Sequence, residues 1–302
     1  MIWLFDLLLV LLILALAWRS ISARDLFESI VVFIAMGLMI ALAWVRLQSP
    51  DAALAEAAIG SGLAGALLLA TLSQMTHKID YQPRRMSWLW MFAWGILALV
   101  LLLGLWLLPT HSASLMPYVL ASLDDSGVGH PVTAVLLNYR AWDTALELAV
   151  LAWAWYAQRS FADASGLKLR ALQGRVIKAA VWSLLPLVAL VAAYLLWRGA
   201  QAPGGAFQSG AVLAAGLVML ILAQRQQAMS ASVWLGLAWG AGFSLFMLIG
   251  LIGVALGDSF MTYPKAYAGA LILMIEIFAA LSIGLLLAAM VTGRSQIKRG
   301  EA

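Results

Sequence analysis

The chain contains no cysteine among its 302 residues, and only 11% of the residues are charged. Without thiols there are no disulfides, no cysteine nucleophile and no iron–sulfur cluster held by thiolates. The three histidines, His77, His111 and His130, fall in predicted connections and lack the spacing of metal ligands. Motifs of zinc proteases, serine hydrolases and phosphate-binding loops are also missing. The sequence therefore predicts no metal site, no cofactor and no enzymatic activity of its own.

Apolar residues are what the chain has in excess. They make up 64% of the sequence and give a mean hydropathy of +0.97, far outside the range of soluble domains. Apolar runs recur at the length of about 20 residues that a helix needs to cross a bilayer, whereas the alternating strands of a membrane barrel do not occur. We predict an all-α integral membrane protein with about nine transmembrane helices. These helices are expected near 2–18, 26–46, 51–71, 88–108, 131–157, 178–197, 207–224, 232–256 and 265–292.

Lysines and arginines are concentrated on one side of the predicted helices. Fourteen of them follow odd-numbered helices and three lie on the opposite side, with Arg140 set apart because it falls inside a helix. The positive-inside rule then places the amino terminus outside and the carboxyl terminus in the cytoplasm. The first apolar run has no basic region before it and no small-residue cleavage site after it, so we expect it to remain as a helix.

Two polar, basic connections, at 73–87 and 158–175, divide the chain. They predict three membrane modules, at 1–80, 81–170 and 171–302. The long connection at 109–131 has no basic residue and contains helix-breaking glycines and a proline, so we place it on the outer side with a short surface helix.

Two acidic residues lie in the stretch "SPDAALAEAAIGSGL" at 49–63. Ser49 and Pro50 are typical of a helix start, and Asp51 lies in the first turn, where a carboxylate is stabilised by the helix dipole. Glu56 lies about 8 Å deeper, on a helix rich in alanine and glycine that another helix can approach closely. Glu56 therefore either lines an ion path or makes a hydrogen bond between packed helices.

Four polar residues share one face in the stretch "VLLNYRAWDTALELAVLAW" at 135–153. Arg140, Asp143, Thr144 and Glu147 have the spacing i, i+3, i+4 and i+7. Arg140 can pair with Asp143 or Thr144, which leaves Glu147 deeper and without a cation of its own. We predict a structural ion pair between Arg140 and Asp143, and a role in proton or cation handling for Glu147.

Glu276 lies near the middle of the last predicted helix, about eleven residues after Lys265. That helix carries no lysine or arginine to pair with it. A carboxylate at this depth is a candidate functional residue, and the alternative is a neutral glutamate held by hydrogen bonds.

A helix break is predicted around 202–210. Pro203, Gly204 and Gly205 interrupt a helix, and Gln208 lies in the first turn of the next. The segment is either a broken or re-entrant element whose free backbone groups line a path, or an ordinary tight loop.

These segments together resemble membrane subunits of Mrp-type multisubunit cation/proton antiporters and the related modules of energy-converting, membrane-bound hydrogenases. The stretches "SPDAALAEAAIGSGL" and "NYRAWDTALELAVL" resemble two successive signatures in the carboxyl-terminal part of the Mrp A subunit. The stretch "APGGAFQSG" and the helix of Glu276 resemble the Mrp B (MnhB) subunit and its hydrogenase counterpart. This sequence departs from the family pattern at several positions, with Ala55 in place of threonine, Ala200 in place of histidine, and Ala206 and Ser209 in place of glycines.

The resemblance implies a transport subunit of the bacterial inner membrane, acting with other membrane subunits to move Na⁺ or H⁺. It implies ion-path roles for Asp51, Glu56, Glu147 and Glu276. The ion pair of Arg140 and Asp143 would then tune the charge of these carboxylates. The path would be shaped by the helix break, at Pro203, Gly204, Gly205 and Gln208. Two alternatives remain open: an ion-pumping subunit of a redox-driven complex, such as a hydrogenase or respiratory relative, or a purely structural scaffold.

Overall fold

The computed structural model describes residues 2–73, 87–108, 114–161, 174–224, 233–256 and 258–292. Two histidines, His77 and His111, and most of the connections 73–87 and 158–175 lie outside the described residues. Within the described ranges the regular elements are helices, and no strand occurs among them. They are α1 (Ile2–Ser22), α2 (Leu26–Arg46), α3 (Pro50–Leu72), α4 (Trp88–Leu107), α5 (Met116–Ala121), α6 (Pro131–Ala134), α7 (Ala141–Phe161), α8 (Arg175–Gly199), α9 (Ala206–Gln224), α10 (Val233–Ala255) and α11 (Ala268–Thr292).

The prediction of an all-α membrane protein is confirmed. Six helices in the described ranges are long and apolar enough to span a bilayer, namely α1, α2, α3, α4, α8 and α11. Shorter apolar helices cover Ala206–Ile221 and Gly240–Ala255. The short helix expected between 109 and 131 is α5, which begins next to Pro117.

The first two helices form a hairpin held at both ends. Asp25 caps α2 by accepting a hydrogen bond from the Phe27 amide, as its position before the helix predicts. Beside this cap, the hydroxyl groups of Ser20 and Ser29 each donate to the other residue's carbonyl. At the far end, Nε of Arg46 lies 2.7 Å from Oδ1 of Asp6.

The best-buried part of the fold surrounds α11, which packs against α7, α9 and α10. Its Ile272, Ile275 and Ile283 are completely buried. Close approach requires small residues here: a Cβ at Gly210 of α9 would lie 2.7 Å from Cγ2 of Ile283. One face of α11 is buried in this packing, so a polar group on that face is removed from water.

Two of the helical stretches contain π-helical turns, at Glu56–Leu63 within α3 and at Val135–Tyr139 directly after α6. Such turns leave carbonyl groups without their usual helical partners. After α6, the Leu136 carbonyl accepts from Oγ1 of Thr144 at 2.8 Å, and the Leu137 carbonyl accepts from the Tyr263 hydroxyl at 2.8 Å. Burial raises the pKa of the Tyr263 phenol, so the hydroxyl keeps the proton that it donates.

The predicted helix near 131–157 is interrupted. The π-helical turn ends at Arg140, whose φ of −125° and ψ of 38° are not helical, and α7 begins at the next residue. The Arg140 amide donates to the Val135 carbonyl at 2.7 Å, which closes the wide turn. Arg140 therefore does not share a helical face with Glu147, in contrast to the prediction. It directly precedes α7, and Asp143 lies in the first turn of that helix.

One helix lies apart from this core. Every residue of α4 is exposed, and its Trp88, Trp90 and Trp106 lie near its two ends. Tryptophans at both ends of an apolar helix are typical of the two membrane interfaces.

Candidate functional site

The site is built around the break between α8 and α9, at residues 200–205, called here the 200–205 turn. Gly204 and Gly205 have φ values of +155° and +113°, which residues with a side chain rarely adopt. A Cβ on Gly204 would lie 2.4 Å from the Leu195 carbonyl oxygen. The Gly205 amide donates to that same carbonyl at 2.9 Å. The two glycines thus let the turn fold back onto the last turns of α8.

Asp51 connects α3 to this turn across more than 150 residues of sequence. The Gly204 amide donates to Oδ1 of Asp51 at 3.0 Å, and Nε2 of Gln208 donates to the Asp51 carbonyl at 3.2 Å. Ser49 makes no side-chain cap at the start of α3. The Asp51 carboxylate is therefore used for tertiary contact as well as for the helix end.

His130 lies on the other side of the same carboxylate. Its Nε2 is 3.7 Å from Oδ2 of Asp51, and the two side chains are only 13% and 19% exposed. The His130 amide donates to the Ala200 carbonyl, and Oγ1 of Thr133 donates to the Gly199 carbonyl at 2.6 Å. His130 thus lies beside Ala200, where the family resemblance leads us to expect a histidine.

Sequence reasoning missed His130 by leaving it in a connection. The available signal is the following proline, because Pro131 is typical of a first helical position and makes His130 the residue that precedes the helix.

Glu276 lies beside Gly205, at the end of the same turn. Its side chain is 2% exposed, and the backbone of Ala206, the first residue of α9, hydrogen-bonds its carboxyl group. Oε1 is 3.1 Å from the position that a Cβ of Gly205 would occupy. Oε2 is buried and has no hydrogen-bond partner among the described residues.

The first turn of α9 therefore connects two of the predicted carboxylates. Gly204 contacts Asp51, Ala206 contacts Glu276, and Gln208 is 8% exposed with its amide on the Asp51 backbone. This is a string of buried polar groups inside an apolar bundle.

Glu147 lies in a second place near the same helix start. With Asp143 and Phe207 it lines an open groove of about 470 Å³, together with Leu146, Val150 and Leu151. Phe207 lies between Ala206 and Gln208 in the chain, so the groove reaches the first turn of α9. Arg140 and Asp143 form an ion pair at one end of it, with 2.5 Å between Nη2 and Oδ2, and Arg140 is 70% exposed.

Glu56 lies at the interface of α2 and α3. Its Oε1 is 2.4 Å from the position that a Cβ of Gly60 would occupy and 3.3 Å from that of Gly37. The side chain thus folds along its own helix, over Gly60, toward α2. Among the described residues no group of three or more histidines and carboxylates forms a metal cluster.

Two segments of the chain match models of known protein families. Residues 176–293 match the family model described as a domain related to the MnhB subunit of the Na⁺/H⁺ antiporter. Residues 11–77 match the MbhD family model, which represents one of the subunits of MBH. Over these two segments the chain is similar to membrane subunits of the Mrp and MBH type.

Two solved structures have similar folds. One is the Mrp complex from Dietzia sp. DQ12-45-1b, with a TM-score of 0.75 and 20% identity over 97% of this chain and 35% of that chain. This chain thus spans about a third of the length of that relative. The other is the membrane-bound sulfane sulfur reductase, an archaeal respiratory membrane complex, with a TM-score of 0.54 and 24% identity over 68% of this chain and 95% of that one. No curated protein sequence matches.

Proposed function

We propose that the chain is a membrane subunit of an Mrp-type multisubunit cation/proton antiporter and contributes acidic residues to its ion path. The observation that carries this proposal is the environment of Glu276. Its carboxyl group is buried in an apolar core, with one oxygen held by the start of α9 and the other without a partner among the described residues.

The free-energy cost of burying a charge in the membrane supports a functional role for Glu276. A charge at mid-bilayer costs at least about 2.5 kcal/mol on insertion scales, and Glu276 lies about 12 Å from the start of α11 at 1.5 Å per residue. An oxygen without a protein partner at this depth is available to a proton or a small cation.

The other acidic residues extend the proposed path. Asp51 contacts the turn at Gly204, and Glu147 lies in the groove that reaches α9. Glu56 lies in the α2–α3 interface. The ion pair of Arg140 and Asp143 sets the local charge beside Glu147, and Pro203, Gly204, Gly205 and Gln208 shape the passage.

We also propose a location and partners for the chain. It lies in a bacterial inner membrane with its amino terminus outside, and it works with other membrane subunits on Na⁺ or H⁺ rather than as an enzyme. The extensive exposed apolar surface, such as that of α4, suits contact with lipid and with such subunits.

A redox-driven complex is the second candidate. The MbhD match over residues 11–77 and the similarity to the fold of a respiratory membrane complex favour it. In that case the chain would serve as a membrane-arm subunit, and electron-carrying subunits would be other chains. Purification of the intact complex distinguishes the two, because iron–sulfur or nickel–iron subunits would copurify only with a redox-driven assembly.

The test of the ion-path role is sodium-dependent proton exchange in inverted membrane vesicles that contain the whole complex. Glu276→Gln and Glu147→Gln are compared separately with wild type, after normal assembly of each variant has been verified. Glutamine keeps the size and hydrogen-bonding capacity of the side chain but removes its exchangeable charge.

We expect exchange to be lost in the Glu276→Gln complex and strongly reduced in the Glu147→Gln complex. Wild-type exchange in both variants would reject these carboxylates as carriers. Failure of both variants to assemble, with normal exchange in the few complexes that form, would support the scaffold alternative instead.

A further inference from the structure

We propose that His130 is a titratable positioning residue that controls the access of a cation to Asp51. This inference rests on the proposed function, because it concerns the entrance of the same path. When His130 is protonated it forms an ion pair with Asp51, and when it is neutral the Asp51 carboxylate is available to the cation.

The geometry supports a direct effect of one side chain on the other. Nε2 of His130 and Oδ2 of Asp51 are 3.7 Å apart, and both side chains are mostly removed from solvent. Oδ1 of Asp51 is already occupied by the Gly204 amide. Oδ2 is therefore the oxygen that both a protonated imidazole and a cation would contact.

Electrostatics then gives the sign of the effect. With neutral His130 the pair carries a charge of −1 and attracts a cation, whereas with protonated His130 its charge is zero. Histidine is the side chain that ordinarily changes charge between about pH 5 and 8. Cation access should therefore be open at high pH and should close as the pH falls.

Groups from three elements lie around His130, and the end of α8 also carries Arg198 next to Gly199. From α3 the facing group is Asp51, and from the end of α8 the main-chain carbonyls of Gly199 and Ala200 face the helix that His130 precedes. Within its own helix Oγ1 of Thr133 lies 3.5 Å from Nδ1 of His130. The described loops before α6 and α11 hold four more charged residues, namely Asp124, Asp125, Asp258 and Lys265. Of these, Lys265 pairs with Asp125, with 2.6 Å between Nζ and Oδ1.

The 200–205 turn connects Asp51, where the cation would bind, with Glu276. Its Oδ1 and its carbonyl oxygen hold Gly204 and Gln208, and Ala206 lies between these two in the chain and contacts Glu276. A cation admitted at Asp51 thus arrives beside the turn that borders Glu276.

The experiment measures exchange in vesicles containing the whole complex, at low sodium concentration and at pH 6 and pH 8. His130→Gln removes the titration and should keep the entrance open, and His130→Lys supplies a permanent positive charge and should keep it closed. Gly129→Ala is the matched control, because it changes no charge and its Cβ would lie 3.9 Å from the Ala200 carbonyl oxygen, an ordinary contact.

We expect the exchange rates of the wild-type and His130→Gln complexes to depend differently on pH. The ratio of the wild-type rate at pH 8 to the wild-type rate at pH 6 should therefore exceed the same ratio for the His130→Gln complex. The His130→Lys complex should be slow at both pH values. Gly129→Ala should have the wild-type ratio.

Two results would overturn the inference. One is a His130→Gln complex with the wild-type ratio, and the other is an equal effect of His130→Gln and His130→Lys at both pH values, which a structural role would produce. Equilibrium binding of radioactive sodium to the purified complexes provides the same comparison without turnover. Failure of the proposed function is seen separately, as wild-type exchange in the Glu276→Gln complex at either pH.

Discussion

Asp51 combines a structural contact with an accessible charge. One carboxylate oxygen binds the Gly204 amide, and the other faces His130. Asparagine can keep the first contact through its amide oxygen but has no charge, and alanine loses both. The two substitutions therefore separate the roles.

We predict that Asp51→Asn assembles with near-normal stability and has impaired exchange, whereas Asp51→Ala is also less stable. Loss of the acceptor leaves the Gly204 amide unpaired, which costs about 1–3 kcal/mol when the group is buried. Thermal denaturation of the purified complexes measures this difference. Equal melting temperatures for the two variants would show that the contact between Asp51 and the turn contributes little.

At the scale of elements, the 200–205 turn depends on backbone conformations that suit only glycine. We predict that Gly204→Ala lowers the stability of the folded chain by about 1–3 kcal/mol, the usual cost of forcing a side chain into such a region, with a clash against the Leu195 carbonyl in addition. The amount of assembled protein and its melting temperature are the measurements.

Gly129→Ala is the matched control for this substitution. A Cβ there would lie 3.9 Å from the Ala200 carbonyl oxygen, an ordinary contact at the same end of the bundle. We expect this variant to resemble wild type. A stable Gly204→Ala protein would contradict the strained geometry of the turn.

The π-helical turn after α6 depends on a donor from another part of the chain. We predict that Tyr263→Phe lowers stability by about 1–3 kcal/mol, because the buried Leu137 carbonyl loses its side-chain donor. Tyr267→Phe, at a residue that is 66% exposed, is the control and should have little effect. The measurement is the melting temperature of each purified variant. Equal melting temperatures would contradict the stabilising role of this hydrogen bond.

Local sequence predicted those elements that depend on local physics. The helix start at Asp25, the break at Pro203 to Gly205 and the apolar helices follow from capping, backbone restriction and hydropathy. The π-helical turns could not be predicted, because their stability depends on partners such as Tyr263, 126 residues from Leu137. For the same reason the approach of His130 to Asp51 was beyond sequence reasoning: it exists only once α3, α6 and α8 have packed together.

At the scale of the whole molecule, much apolar surface faces outward, and α4 is exposed along its entire length. Such a helix is stable only in lipid or against other membrane helices. We predict that Leu99→Arg, near the middle of α4, reduces the membrane-inserted fraction, since arginine at a helix centre costs about 2.5–3.5 kcal/mol on insertion scales. Leu99→Ala is the control, and the protein content of the membrane fraction is the measurement. Equal insertion of the two variants would argue against α4 as a membrane span.

The packing of α11 against α7, α9 and α10 also encloses Glu276, which is 2% exposed. This enclosure is what turns an ordinary glutamate into the central candidate for ion binding. We propose that sodium and a proton occupy the Glu276 carboxyl group in turn.

Infrared difference spectroscopy of the purified complex, with and without sodium, tests this claim most directly. We expect a sodium-induced change in the carboxyl bands of the wild-type complex that disappears in a correctly assembled Glu276→Gln complex. The same sodium-induced bands in the Glu276→Gln complex would contradict the claim, because sodium would then be bound without this carboxylate.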